Sequence, residues 1–164
     1  MLMRSLRHVF FSDRAVGRAF PATALERITA AIAASERRHS GELRFVVEAA
    51  LAPLQAWRGL SARERAIELF SELRIWDTEH NNGVLIYLLL AEQNVEILAD
   101  RGAASRIPPA CWEEVCKAME TAFREGRFEP GVLEGLQRIS SLLEEHFPAQ
   151  AGNPNELPDR PLLL

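Results

Sequence analysis

Apolar residues are densest in the middle of the chain, between two short polar segments. One apolar run spans residues 84–91, and a second spans 95–99. The three residues between them, Glu92-Gln93-Asn94, have the composition of a short turn, so the pattern predicts two antiparallel strands. Polar residues at 77–82 precede the first strand, and Asp100 follows the second. Because antiparallel pairing sets the start of one strand beside the end of its neighbour, we expect these polar groups at one end of a sheet.

Other periodicities predict a further strand and four helices. The segment 42–50 alternates, with Leu43, Phe45 and Val47 on one face and Arg44, Val46 and Glu48 on the other. Apolar stripes at helical spacing predict helices over 21–39, 61–73, 110–123 and 131–147. The first two carry capping-box spacings, Thr23 to Glu26 and Ser61 to Glu64. The order α-β-α-β-β-α-α requires helices on both faces of a small mixed sheet, so we predict a three-layer α/β/α sandwich.

The chain divides into three segments. Residues 1–20 form a basic amphipathic arm, residues 21–148 form the α/β/α domain, and residues 149–164 form a proline-rich tail. We expect the tail to be extended or disordered, with Leu162–Leu164 able to dock on a neighbouring surface. Two interpretations of the arm stay open: a short helix on an anionic membrane surface, or a helix packed across the domain.

Composition and charge narrow the function classes. The chain has 164 residues and a net charge of −4. It lacks the excess of positive charge that is typical of nucleic-acid-binding proteins, so we expect no nucleic-acid partner. Cys111 and Cys116 are five residues apart and are expected to be buried, inert thiols. The apolar run at 84–91 is too short to span a bilayer, and the N-terminus lacks the apolar core of a secretory signal. We therefore expect a cytoplasmic protein, with a peripheral position at the membrane as the alternative.

Three stretches together resemble the TPM domain family. They are Gly41-Glu42 opening a strand, Ile75–Thr78 ending a helix, and Asn81–Ile86 entering the next strand. This family includes thylakoid photosystem II repair proteins and bacterial relatives, often described as TPM-domain phosphatases. The resemblance covers roughly residues 23–147 and implies an α/β/α sandwich, a link to acid phosphatase activity and calcium binding, and a LemA-type membrane protein as partner. Relatives commonly carry Gly-x-Gly where this chain has Asp100–Ala103.

Four residues are candidate ligands of a divalent cation: Glu42, Asp77, Asn82 and Asp100. Carboxylate and amide oxygens suit Ca²⁺ or Mg²⁺. Zinc is less suited, because no set of histidines and cysteines converges with them. A structural interpretation stays open beside this one. Asp77 would then cap the backbone amides of the following turn, and Asn81–Gly83 would supply left-handed conformations before the strand.

Two functions follow as alternatives. The first is an accessory or interaction module that binds a divalent cation and meets a protein or membrane partner. The second is a weak metal-assisted phosphatase, in which Asp77, Asp100 and Glu42 hold the ion and Arg101 holds the phosphate. The sequence contains no C-x5-R motif, no D-x-D-x-T motif and no glycine-rich phosphate cradle. The enzyme alternative therefore depends on the family resemblance, and a shared fold does not confer an activity.

Overall fold

The computed structural model describes residue 8 and the ranges 13–152 and 154–164. Most of the predicted N-terminal arm, residues 1–7 and 9–12, lies outside them. The described residues form seven helices, four strands and one 3₁₀ turn at Leu90–Glu92. The helices are α1 (Asp13–Ala19), α2 (Ala22–Glu36), α3 (Pro53–Trp57), α4 (Ala62–Glu72), α5 (Arg101–Arg106), α6 (Pro109–Arg124) and α7 (Phe128–His146). The strands are β1 (Glu42–Glu48), β2 (Gly83–Leu89), β3 (Asn94–Ala99) and β4 (Leu162–Leu163).

The four strands form one mixed sheet in the order β3-β2-β1-β4. β1 pairs in parallel with both β2 and β4, and β2 pairs antiparallel with β3. The antiparallel pair confirms the prediction for 84–99. The fourth strand comes from the proline-rich tail, where Leu162 and Leu163 pair with Val46 and Val47. The tail is therefore extended and docked on its own domain over these residues.

Helices cover both faces of the sheet, as the predicted sandwich requires. Leu43, Phe45 and Val47 face a large core that α2, α6 and α7 complete. Val46 and Tyr87 face a smaller core completed by α3 and α4. All seven residues of β1 and all seven of β2 are buried. Strands buried on both faces are apolar almost throughout, which explains the uninterrupted apolar run of β2.

One of the two predicted capping boxes is present. The Ser61 side chain accepts the N–H of Glu64, and the Glu64 carboxylate accepts the N–H of Ser61 at 2.8 Å, so α4 begins as predicted. The prediction for Thr23 and Glu26 is wrong. α2 begins directly after Pro21, so Thr23 already lies inside the helix, and the Pro21 cap position makes no side-chain hydrogen bond.

Two short helices lie in segments that the sequence analysis left without helical structure. α3 occupies part of 50–60, where Pro53 stands at its first position. α5 follows β3 at once, because the Asp100 side chain caps its first turn by accepting the N–H of Arg101. Among the described residues, no helix is both long enough and apolar enough to cross a membrane.

Gly83 lets the polar connection before β2 pass close over the sheet. A Cβ atom at this position would lie 2.1 Å from the carbonyl oxygen of Ile75. Gly102 allows a similar approach at the start of α5, where a Cβ would lie 2.5 Å from the carbonyl oxygen of Asn81. Both contacts involve backbone atoms, which cannot rotate away as a side chain can. These glycines fix the polar connection against the amino end of β2.

Gly83→Ala should therefore destabilise the fold by about 2–3 kcal/mol, because the added methyl group forces the backbone at Ile75 to move. Gly17→Ala is the matched control. Gly17 lies in α1 with no atom near its would-be Cβ, so the same change should be neutral or stabilise by about 0.5–1 kcal/mol. Urea unfolding of both variants measures the difference, and equal free energies of unfolding would contradict the close approach.

Candidate functional site

Three residues form a row across the amino end of the sheet. Glu42 lies in register with Gly83, and Asp100 donates its N–H to the carbonyl oxygen of Gly83 at 2.8 Å. Residues directly across neighbouring strands point to the same face. The structure therefore confirms that the polar residues before β2 and Asp100 after β3 meet at one end of the sheet.

The polypeptide at Ile75 divides this row. Its carbonyl oxygen lies over Gly83, between Glu42 and Asp100. The Glu42 carboxylate contacts the backbone of the C-terminal tail, whereas the Asp100 carboxylate contacts α5. The two acidic side chains share an end of the sheet and have different partners.

Asp100 serves as the helix cap of α5. Its Oδ1 accepts the N–H of Arg101 at 2.7 Å. Its Oδ2 is buried and has no hydrogen-bond partner within the described ranges. Arg101 itself is exposed. One oxygen of Asp100 thus has an evident structural task, and the other does not.

Asn82 and Asp77 have separate surroundings. Asn82 is fully buried and donates from Nδ2 to the carbonyl oxygen of Ser40 at 2.7 Å, which ties the entry of β2 to the entry of β1. Asp77 is half-exposed and forms an ion pair with Arg74 Nη2 at 3.0 Å. Of the predicted left-handed residues at 81–83, Asn81 is left-handed, with φ of 50°. The four candidate ligands share a region, and their side chains do not converge on one point.

Glu42 holds the C-terminal tail. Its Oε2 accepts the N–H groups of Glu156 and Leu157, both at 3.0 Å. Two residues along β1, Arg44 donates to the carbonyl oxygens of Pro158 at 2.9 Å and Arg160 at 2.6 Å. A buried carboxylate and a buried guanidinium therefore bind one main chain, at its donors and its acceptors respectively. The sequence analysis missed this role, although charged residues inside a buried strand were a signal of it.

An acidic cavity of about 260 Å³ lies where β1 begins, between the end of α2 and the tail. Its carboxylates come from Glu36, Glu42 and Asp159, and Asn155 and Arg37 also line it. Glu36 Oε1 accepts the N–H of Leu43 at 2.8 Å. The Glu42 side chain is 1% exposed, and its Oε1 has no hydrogen-bond partner among the residues described. Glu42, which lines the cavity, therefore carries a buried acceptor that no described residue uses.

Burial and mutual repulsion set the protonation of this cavity. Burial, reinforced by the charges of Glu42 and Asp159, raises the pKa of Glu36 to about 8. Burial also raises the pKa of Glu42, against the two N–H groups of the tail, which favour its charged form. Among the described residues that line the cavity, one is basic, Arg37, and three are acidic.

The oxygens of the cavity suit a hard cation better than a transition metal. Within the described ranges, no three acidic, histidine or cysteine side chains are arranged to hold a metal together. Mg²⁺ is commonly held by one or two carboxylates while it keeps several waters. Glu42 and Asp159 with the Asn155 amide provide such a partial set.

Two other reactive side chains lie away from this cavity: His39, which is buried, and Cys116, which like Cys111 is partly buried rather than fully buried as predicted. Burial raises the pKa of the Cys116 thiol to about 12, so it is a poor nucleophile at neutral pH. His39 donates from Nδ1 to the carbonyl oxygen of Gly41 at 3.0 Å, and its burial lowers its pKa to about 4. Both groups are therefore neutral in the folded protein near neutral pH.

Comparison with known proteins identifies the family. The sequence model of the TPM domain matches residues 18–142. The chain belongs to the TPM domain family. A solution structure of the BA42 protein from the psychrophilic bacterium Bizionia argentinensis is similar to this TPM domain, with a TM-score of 0.78 and 26% identity over 88% of this chain and 95% of that one. The resemblance inferred from the sequence is thereby confirmed.

A second solved structure shows the same fold at lower similarity. It is the N-terminal domain of a protein from P. gingivalis, with a TM-score of 0.60 and 20% identity, covering 81% of this chain and 84% of that one. A search of curated proteins gives no match. The family match ends before the tail, so Asn155 and Asp159 lie outside it.

Removing the Glu42 carboxylate should loosen the tail. In Glu42→Ala the N–H groups of Glu156 and Leu157 lose a charged acceptor, and we expect a loss of about 2 kcal/mol. Amide hydrogen exchange should accelerate across 156–164 and much less in β2. Glu145→Ala, at an exposed position on α7, is the control. Unchanged exchange in the tail of Glu42→Ala would contradict this anchoring role.

Buried His39 should make the fold less stable in mild acid. An unfolded histidine takes up a proton near pH 6.5, whereas folded His39 does so only near pH 4. The unfolded state therefore binds more protons below about pH 6.5, and stability should fall by up to about 3 kcal/mol as the pH approaches 4. Urea unfolding of wild type and His39→Gln across this range isolates the effect. Parallel pH profiles for the two proteins would show that His39 does not contribute.

Proposed function

We propose that this protein is an accessory module of the TPM domain family that binds Ca²⁺ or Mg²⁺ in the acidic cavity at the amino end of β1. The observation that carries the proposal is the buried Oε1 of Glu42, which has no hydrogen-bond partner among the described residues, on a residue that lines the cavity together with Glu36 and Asp159. A bound cation would be coordinated by this oxygen, and the coordination would replace the hydrogen bond that the oxygen lacks.

Charge supports the same assignment. Burial, together with repulsion from the charges of Glu42 and Asp159, keeps Glu36 largely protonated near neutral pH. A bound divalent cation would offset this repulsion and displace the proton. Since Asp159 belongs to the tail and Glu42 and Glu36 belong to the domain, the ion would also join the tail to the domain.

The proposal keeps Glu42 from the ligand set predicted from the sequence and replaces the other members. Asp77, Asn82 and Asp100 have other contacts and are not among the residues that line this cavity. They form the natural comparison set for a test of where the cation binds.

A melting experiment tests the proposal. Wild type should melt several degrees higher in Ca²⁺ or Mg²⁺ than in chelator, because a ligand at a hundredfold excess over its Kd adds about 2.7 kcal/mol. Asp159→Asn keeps the shape of the side chain and should abolish the shift. Asp77→Asn, at the exposed ion pair, should keep it.

The same experiment can overturn the proposal in two ways. Equal melting temperatures of the wild type with chelator and with either ion would remove cation binding. A shift that survives Asp159→Asn and disappears in Asp100→Asn would move the cation site to Asp100.

The phosphatase alternative has less support. Its proposed ion ligands differ in their surroundings, since Asp77 pairs with Arg74 in solvent and Asp100 caps α5. As an accessory module the protein would act on a partner, and the family resemblance suggests a LemA-type membrane protein.

A further inference from the structure

A groove of about 470 Å³ lies along the outer edge of β3. β3 is the last strand on its side of the sheet, and no strand of the described residues lies beyond it. Residues 94–97 form the floor of the groove, Arg63 of α4 forms one wall, and α6 forms the other. Because α4 and α6 pack on opposite faces of the sheet, the edge of β3 is recessed between two helices. We name this space the edge groove.

Side chains from the two helices bond the main-chain groups that β3 turns outward. Glu120 Oε1 accepts the N–H of Val95 at 3.1 Å, and Arg63 Nη1 donates to the carbonyl oxygen of Ile97 at 3.0 Å. A neighbouring strand would bond these same groups. The two side chains therefore occupy the place where the main chain of a further strand would lie.

Both side chains have a second partner to which they can turn. Arg63 is half-exposed and lies 3.4 Å from the Glu96 carboxylate, and Glu120 Oε2 accepts from Arg124 Nη2 at 3.1 Å. Contacts of long side chains at the surface contribute little to stability, so releasing them from β3 costs little. The outward groups of β3 are therefore available to a main chain that enters the edge groove.

Two residues that line the edge groove carry buried polar atoms without a hydrogen-bond partner in the described part of the chain. Trp112 is 7% exposed, and its Nε1 is an unused donor, whereas Oδ1 of Asn94 is an unused acceptor. Asn94 Nδ2 donates to the Glu120 carboxylate at 3.3 Å, which fixes the orientation of the amide. A ligand that satisfies both atoms needs an acceptor and a donor, and a peptide main chain supplies the two together.

Shape and chemistry exclude other occupants. A second copy of the chain would have to present its own β3, which is recessed in the same way, so the two edges cannot meet. An apolar ligand would leave the polar atoms of Trp112 and Asn94 unpaired at a cost in free energy. Three carboxylates and two cations line the edge groove, so its net charge favours a peptide that carries a lysine or an arginine.

We propose that the edge groove binds an extended segment of a partner protein as an additional strand of the sheet. The segment pairs with the N–H of Val95 and the carbonyl oxygen of Ile97, in place of Glu120 and Arg63. Its basic side chain lies near Glu113, which is exposed on the wall formed by α6. This function goes beyond cation binding, since the acidic cavity lies beside β1 and the tail.

Titration of the full ¹⁵N-labelled chain with the peptide acetyl-Thr-Val-Lys-Val-Thr-amide tests the proposal by NMR. Binding should be saturable and should shift the amide signals of Val95 and Ile97 and the indole N–H signal of Trp112. Replacing the lysine of the peptide by glutamate should weaken binding about threefold.

Two N-methylated peptides test for strand pairing. An extended chain turns alternate N–H groups toward opposite edges, so one peptide is methylated on the first set and the other on the second. The peptide whose methyl groups face β3 should bind about tenfold more weakly or worse, because it loses several main-chain hydrogen bonds. The other peptide should bind as the parent does.

Two pairs of variants place the site. Trp112→Phe keeps an aromatic ring, removes the N–H and should weaken binding about fivefold, whereas Trp76→Phe, at an exposed position before β2, should not. Glu113→Gln should weaken binding about threefold. Its neighbour Glu114 is also exposed on α6 but does not line the edge groove, so Glu114→Gln should bind as the wild type does. Circular dichroism and melting confirm that the variants are folded.

Four results would overturn the proposal. They are absence of saturable binding of the lysine peptide, equal affinities of the two N-methylated peptides, and unchanged affinity in both Trp112→Phe and Glu113→Gln. The fourth is self-association without peptide that shifts the signals of Val95 and Ile97, which would assign the edge groove to a second copy of the chain.

Discussion

The complete burial of β1 and β2 is the constraint on which this structure depends. Two parallel strands with both faces covered leave no place along their length for solvated groups. Helices must then pack on each face, and polar chemistry is confined to the two ends and the outer edge of β1. The buried charges on β1, Glu42, Arg44 and Glu48, each meet this constraint with a partner: the tail for the first two and Arg65 with Tyr87 for the third.

The two ends of the sheet have opposite character as a result. At the amino end, the connection before β2 and the tail bring carboxylates and backbone groups together around small spaces. At the carboxyl end, a short helix and the last residues of β4 present apolar surface.

Periodicity predicted the parts of the fold that depend on neighbours in sequence. The alternation of Leu43, Phe45 and Val47 assigned the faces of β1, and the Ser61 box located the start of α4. The Thr23 box failed because Pro21 started α2 earlier. The tail could not be predicted, since β4 has two residues and its pairing joins residues more than a hundred positions apart. The proline content of the tail is typical of disordered segments, and only its long-range contacts with β1 order it.

The candidate site, like the fold, was predictable only where it depends on local sequence and on strand pairing. Strand order and antiparallel pairing correctly placed Asp100 beside the start of β2. The direction of each side chain was not predictable, because it depends on where Ile75 crosses Gly83 and where the tail returns. Glu36 and Asp159 carried no signal of their own, since an acid at a helix end and an acid in a proline-rich tail are usually solvated.

The return of the tail has a consequence for the behaviour of the protein in solution. A strand at the edge of a sheet offers unpaired N–H and carbonyl groups that a second chain can extend. β4 and the contacts of Glu42 and Arg44 cover that edge of β1 from within the molecule. The tail, which in composition resembles a dispensable linker, thus prevents the apolar strand β1 from pairing with β1 of a second copy of the chain.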